Sequence, residues 1–261
     1  MHFTATADTD VGTVKTRNQD SILIRHAASP LGEILMALVC DGMGGLEKGE
    51  LASATVVREF RRWFDEELPF ELEHADMQVI GRKWALLLKK LNGQIGAYGA
   101  RTHTMLGTTF TGVLFVDTRY VVVHVGDTRL YQIGNDLKQL TTDQTYIARE
   151  LSRGRMTEKQ ARTDKRRNML LQCVGASATL EPEIHWGHTE PGIYLLCSDG
   201  FRHEISEFEM YEQLNPGKLT DQASMHRAAA GLMELAKQRK ERDNISVVLV
   251  RVEQEQKEWQ R

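Results

Sequence analysis

The stretch ILMALVCDGMGG, residues 34–45, runs from an apolar segment into an acid, Asp41, and then into three glycines within four residues. Asp-Gly after an apolar run is a common hairpin signal and predicts a second strand immediately afterwards. The next residues are instead LEKGELASATVVREFRRWF, in which Leu51, Ala54, Val57, Phe60 and Phe64 recur at helical spacing. The loop therefore joins a strand to a helix, and a hairpin turn does not account for the carboxylate.

Elsewhere in the chain the strand-like runs are 108–116, 120–125, 130–133, 193–197 and 245–252, rich in Val, Ile, Leu and Thr. Three amphipathic helices are expected at about 47–67, 76–98 and 222–239, the last with Thr220 or Asp221 as its cap. Strands outnumber helices without regular alternation, which argues against a doubly wound parallel sheet and for sheets packed face to face with helices outside. Residues 142–175 are highly charged and weakly patterned, fitting either a solvated helical excursion or a mobile flap beside a site. A polar tail is expected over about 253–261.

With 261 residues, 41% of them hydrophobic and only 5 prolines, the chain is expected to fold around a sizeable core. A net charge of -3 gives no broad footprint for nucleic acid. No apolar run approaches the ~20 residues of a membrane helix, and the opening MHFTATADTD lacks the basic and apolar regions of a signal peptide. A cytoplasmic protein is the expectation. Cys40, Cys173 and Cys197 are widely spaced and read as small core residues rather than as nucleophiles. His185 and His188 read as surface histidines, with no cysteine near enough in sequence for a zinc signature. GMGGLEKGE matches neither a P-loop nor a dinucleotide fingerprint.

The carboxylate at Asp41 makes sense because it is repeated. Asp41 follows LMALVC, Asp127 follows VVVHVG, Asp199 follows IYLLCS, Asp243 precedes NISVVLV and Asp20 ends GTVKTRNQD. One acid at a strand end is a turn former; five suggest a rim where carboxylates gather. Gathered carboxylates raise one another's pKa unless a cation neutralises them. Oxygen donors favour hard cations, Mg²⁺ or Mn²⁺.

The ordered set GTVKTRNQD, DGMGGLEKGELAS, GTTFTGVLF, HVGDTRLY, LTTDQT, RRNMLLQCVG, CSDGF and RDNISVVLV resembles the metal-dependent PPM-type (type 2C) serine/threonine phosphatases, most of all their compact bacterial members. The likeness runs from about residue 8 to 252. It implies a single domain over 1–261, an α+β four-layer αββα sandwich of two antiparallel sheets flanked by helices. It also implies removal of phosphate from phosphoserine and phosphothreonine of proteins. Position by position, Asp41 would bridge two ions, the Gly42 carbonyl would ligate one, and Asp199 and Asp243 would hold the other. Asp20 would act mostly through water, and Asp127 with Asp199 would bind a third, weaker ion. In this family two ions ~3.5–4 Å apart activate a shared water for in-line attack at phosphorus, with no phospho-enzyme.

The sequence departs from that pattern at several positions. Lys15 stands five residues before Asp20, where the family has its phosphate-binding arginine, and keeps the charge without the bidentate fork. Gln19 replaces a glutamate, Asp164 and Lys165 replace an H-P pair, and Met43 replaces a candidate acid histidine of eukaryotic members. Two other functions fit the same fold: a catalytically impaired binding module, and a phosphatase dedicated to one regulatory phosphoprotein. The resemblance further implies an opposing bacterial Ser/Thr kinase, phosphoprotein substrates, a monomer, and neither nucleic acid nor membrane as partner.

Overall fold

The computed structural model describes residues 1–44, 48–167 and 169–254. Gly45 of the glycine loop, the helix start expected at Glu47 and the tail beyond 254 lie outside the described residues. Strand β1 (His2–Asp10) leads through a loop to β2 (Ser21–Ser29), β3 (Gly32–Cys40) and the short β4 (Gly42–Gly44). Helix α1 (Gly49–Arg62) runs through a π turn, Trp63–Glu67, into α2 (Leu68–Glu71), and α3 (Met77–Thr102) comes next. The chain continues through β5 (Leu106–Thr108), β6 (Phe110–Val116), β7 (Arg119–Val125), β8 (Arg129–Ile133) and β9 (Leu137–Gln139). Short helices α4 (Tyr146–Ser152) and α5 (Glu158–Ala161) precede β10 (Glu183–His188) and β11 (Gly192–Cys197). Helices α6 (Asp199–Arg202), α7 (Glu207–Leu214) and α8 (Gln222–Gln238) then lead into β12 (Ile245–Glu253).

Two five-stranded sheets form, ordered β1-β12-β11-β8-β9 and β10-β7-β6-β3-β2, with neighbouring strands antiparallel. Period-two alternation sorts their side chains into three apolar layers. Leu35, Ala37 and Val39 of β3 meet Leu196 of β11 and Val248 and Val250 of β12 between the sheets. Ile34, Met36, Leu38 and Cys40 point the other way, onto Val56 and Phe60 of α1 and Ile80, Trp84 and Leu88 of α3. On the far side Ile193 and Leu195, with Val247 and Leu249, pack against Met210 of α7 and Met225, Ala229 and Leu232 of α8. Both faces of the inner strands are thus covered, which is why their sequences read as unbroken apolar runs. The result is the α+β sandwich of two antiparallel sheets between helices.

The helices form where the pattern and the caps agree. Asp76 accepts from the N–H groups of Gln78 and Val79 to start α3, and Asp221 with Ser224 forms a capping box for α8. Trp84 is the keystone under β6. It lies fully buried, 5.0 Å from Phe60 and 5.4 Å from Trp63 between ring centroids, both edge-on. Truncating such a residue to alanine costs about 3–5 kcal/mol.

One expected strand is broken. Residues 108–116 divide into β5 and β6 because Thr109 turns its N–H to the Asp41 carbonyl at 2.9 Å instead of continuing the ladder. Register then sends the acids to one end of the sandwich. Ser21 pairs with Cys40, so Asp20 and Asp41 leave β2 and β3 side by side. Phe110 pairs with Val125, bringing Asp127 to the same end, and Cys197 pairs with Val247, bringing Asp199 and Asp243 there too.

Candidate metal centre

Asp41 is fixed through its backbone. Its N–H donates to Thr109 Oγ1 at 2.9 Å, and its carbonyl accepts from the Thr109 N–H and the Thr108 hydroxyl, each at 2.9 Å. The GTT motif is therefore a clamp on the acid. Gly42 comes next because nothing larger fits: a β-carbon there would fall 2.2 Å from the Gln19 carbonyl oxygen and 2.5 Å from that of Gly49.

Asp199 opens α6 with its Oδ2 3.4 Å from His203 Nε2, while its Oδ1 is buried without a hydrogen-bond partner. His203 Nδ1 lies 3.4 Å from Glu241 Oε2. Asp243 receives its own support: its N–H donates to Glu241 Oε1 at 2.8 Å, and its Oδ1 lies 2.7 Å from Lys15 Nζ. Next to it, Asn244 folds the 11–19 loop over the strand ends. Its Nδ2 donates to the carbonyls of Val11 (2.9 Å) and Arg17 (3.0 Å), and its Oδ1 accepts from the Gln19 N–H (2.9 Å).

These residues surround a cleft of about 490 Å³, lined by Lys15, Asp41, Gly42, Asp127, Asp199 and Asp243, with Met43, Met105, Leu170 and Cys173 among its apolar walls. Asp20 does not line it. It is 8% exposed, behind the wall, and accepts from Ser246 Oγ at 2.7 Å. Arg17 is not among the lining residues; it reaches Glu50 at 3.1 Å. Asp164 and Lys165 also stand away from the lining, Asp164 held by Arg166 at 2.7 Å. The 142–175 segment folds as α4 and α5, and its return is tied to β5 by the Thr108–Val174 bridge.

Electrostatics mark the cleft as a place that needs positive charge. Burial, then the charges of Asp20, Asp199, Asp127 and Asp243, hold the Asp41 carboxyl well above its ordinary range. Burial also pushes Asp20 up to about 7, against the hydroxyls of Ser246 and Ser198 that favour its charge. Asp127 rises to about 6 through burial and Asp199, despite the nearby Arg202. An orphaned carboxylate oxygen, mutually repelling acids and a close-packed glycine carbonyl form an all-oxygen donor set that fits Mg²⁺ or Mn²⁺.

Asp41, Asp127, Asp199 and Asp243 share the cleft but do not close on one point. Among the described residues, no three Asp, Glu, His or Cys side chains form a group that could hold a metal ion. Local partners stand against several of the acids instead: Lys15 holds Asp243, His203 approaches Asp199, Ser246 holds Asp20, and Arg202 approaches Asp127.

No cysteine is poised as a nucleophile. Burial drives the Cys40 and Cys173 thiols upward and pushes Cys197 up to about 12. His185 and His188 lie on the edge strand β10, exposed, with His185 bonded to Glu183 at 2.7 Å. Among the described residues no helix is long and apolar enough to cross a membrane.

The parts of the site that sequence reading missed are its supports. Asn244, Ser246, Glu241, His203 and Arg202 each sit within four residues of one of the acids, yet nothing in their spacing separates them from ordinary surface polar groups.

The same chain organisation occurs in known proteins. The family model for Protein phosphatase 2C matches residues 12–239. The serine/threonine protein phosphatase PstP of Mycobacterium tuberculosis is 30% identical over 257 residues, covering 94% of this chain and 44% of that protein. The protein phosphatase PhpP of Streptococcus pneumoniae is 29% identical over 255 residues, covering 96% and 98%. This chain thus spans less than half the length of the first relative and nearly all of the second. The crystal structure of the PstP catalytic domain with two manganese ions superimposes with a TM-score of 0.77 at 26% identity, over 97% of this chain and 99% of that one.

Proposed function

Because the chain belongs to the protein phosphatase 2C family, we propose that it hydrolyses phosphoserine and phosphothreonine in protein substrates with the help of two divalent ions, Mn²⁺ or Mg²⁺. Asp41, the Gly42 carbonyl, Asp199 and Asp243 would hold them. The observation that carries this reading is the buried, unpartnered Asp199 Oδ1 in a cleft shared with Asp41 and Asp243.

When bound, the ions would supply Lewis-acid polarisation and a source of hydroxide at neutral pH. The chain's own residues do the rest. Thr108 and Thr109 fix the Asp41 backbone, Glu241 and Asn244 fix the loop of Asp243, and Asp20 stands behind the wall, held by Ser246. Lys15 meets the phosphoryl oxygens as a point charge from the cleft wall. Met43 lines the cleft without offering a proton, and burial pushes the Cys173 thiol of the cleft wall up, which favours water over a thiolate as the nucleophile. The reaction class that supplies the substrate is phosphoryl transfer to protein hydroxyls, the work of a bacterial Ser/Thr kinase.

The test is hydrolysis of p-nitrophenyl phosphate and of a phosphothreonine peptide with Mn²⁺ added or chelated. The reading predicts turnover on both that disappears with chelator. Mn²⁺ binding without turnover would indicate a binding module instead, and chelator-insensitive turnover would refute the metal assignment.

A further inference from the structure

Arg202 lies on α6 one turn after Asp199 and is only 13% exposed, as is Asp127. Its Nη2 donates to the Asp127 carbonyl at 3.0 Å and stands 3.5 Å from Asp127 Oδ2 and 3.8 Å from Asp143 Oδ2. Asp143 is itself gripped by the fork of Arg129, Nε to Oδ1 at 2.8 Å and Nη2 to Oδ2 at 2.7 Å. A guanidinium cannot give up its proton in a protein, so this is a permanent positive charge, enclosed by protein, on the side chain and backbone of Asp127.

An ion shared by Asp127 and Asp199 would have to sit beside a buried cation already within 3.5 Å of one of its ligands, in surroundings where screening is weak. Arg202 is held there by one hydrogen bond, to the Asp127 carbonyl, and lies near two carboxylates.

We propose that Arg202 is a built-in cation that takes the place of a peripheral third ion at Asp127, leaving this protein with two metal sites. Arg202 is on this account a positioning residue: it fixes the loop bearing Asp127 without touching the reacting atoms. The inference rests on the phosphatase reading, and its test separates the two.

Mn²⁺ bound per chain is counted by calorimetry and by manganese electron paramagnetic resonance, up to millimolar free ion, for wild type, Asp127→Asn, Arg202→Lys, Arg202→Ser and the Arg202→Ser/Asp127→Asn double variant. The expected counts are two for wild type, Asp127→Asn and Arg202→Lys. Arg202→Ser gains a third, weaker ion, and the double variant loses it again. A third ion on wild type that Asp127→Asn removes would overturn the inference while leaving the phosphatase reading intact. So would a count of two in a folded Arg202→Ser. If Arg202→Ser does not fold by circular dichroism, the comparison of wild type with Asp127→Asn decides alone: equal counts of two support the inference, and a lost third ion overturns it. No Mn²⁺ on wild type would overturn the phosphatase reading and the inference with it.

Discussion

Replacing Lys15 by alanine should weaken catalysis while lowering the Mn²⁺ requirement. The ammonium lines the cleft, lies 2.7 Å from Asp243 Oδ1 and is 40% exposed. Burial disfavours its charge, but Asp243, Asp41 and Asp199 more than compensate and raise its pKa, so it stays protonated at neutral pH. A charge-assisted contact to a phosphoryl oxygen is worth ~1.5–3 kcal/mol. At saturating Mn²⁺ its loss should lower kcat/KM roughly tenfold to 150-fold. The same substitution frees Asp243 from a half-exposed ion pair worth up to about 1 kcal/mol. The Mn²⁺ concentration needed for half-maximal activity should accordingly fall, by at most about fivefold. Lys15→Arg should retain or improve activity through its two-pronged contact. Arg17→Ala should matter little, because Arg17 is 69% exposed and occupied with Glu50. Initial rates on p-nitrophenyl phosphate and a phosphothreonine peptide, each across a Mn²⁺ titration, read both effects. Collapse of kcat/KM in Arg17→Ala with Lys15→Ala unchanged would refute the reasoning and place the phosphate site two residues away.

Without metal, stability should fall as pH rises. Asp20 at about 7, Asp127 at about 6 and the raised Asp41 all bind more protons folded than unfolded between about pH 4 and 7, so ionising them destabilises the fold. For Asp20 the main cause is burial, with the charges of Asp199 and Asp243 adding to it. Chelated protein should melt higher at pH 5 than at pH 7.5, Asp20→Asn should flatten the difference and Mn²⁺ should reverse it; a chelated wild-type Tm equal to that of Asp20→Asn at both pH values would contradict this. Gly42→Ala forces a methyl to 2.2 Å from backbone oxygen and should cost at least about 1–3 kcal/mol, with a raised Mn²⁺ requirement; wild-type melting and metal affinity would count against it. Thr109→Val strips the acceptor from the Asp41 N–H, a loss of about 1–3 kcal/mol, with reduced turnover that Thr109→Ser restores. A fully active valine variant would show that the clamp is dispensable.

Legibility of the fold in the sequence tracks burial. The apolar runs read as strands are β3, β6, β7, β8, β11 and β12, every one an inner strand. The edge strands of the two large sheets, β1, β2, β9 and β10, were missed, because one side meets solvent and HFTATADTD or EIHWGH carries little apolar signal. The three long helices were legible because Trp84, Phe60 and Leu232 lie on continuous buried stripes; α7, only eight residues long, was not. At the site, strand-end position exposed Asp41, Asp199, Asp243, Asp127 and Asp20, but pairing was invisible. Nothing in CSDGFRHE says that Arg202 reaches the loop of Asp127, 75 residues earlier in sequence.

Whether acids at the strand ends hold the ions that drive hydrolysis is decided most sharply at Asp41. Asp41→Asn keeps the shape of the side chain and removes one charge from a crowded cluster. Mn²⁺ binding by calorimetry, turnover on a phosphothreonine peptide and metal-free melting should be measured together on one preparation. Tight Mn²⁺ binding and turnover should both vanish while the metal-free variant melts no lower than wild type, its repulsion relieved. A folded Asp41→Asn with near wild-type turnover at limiting Mn²⁺ would contradict the dimetal assignment.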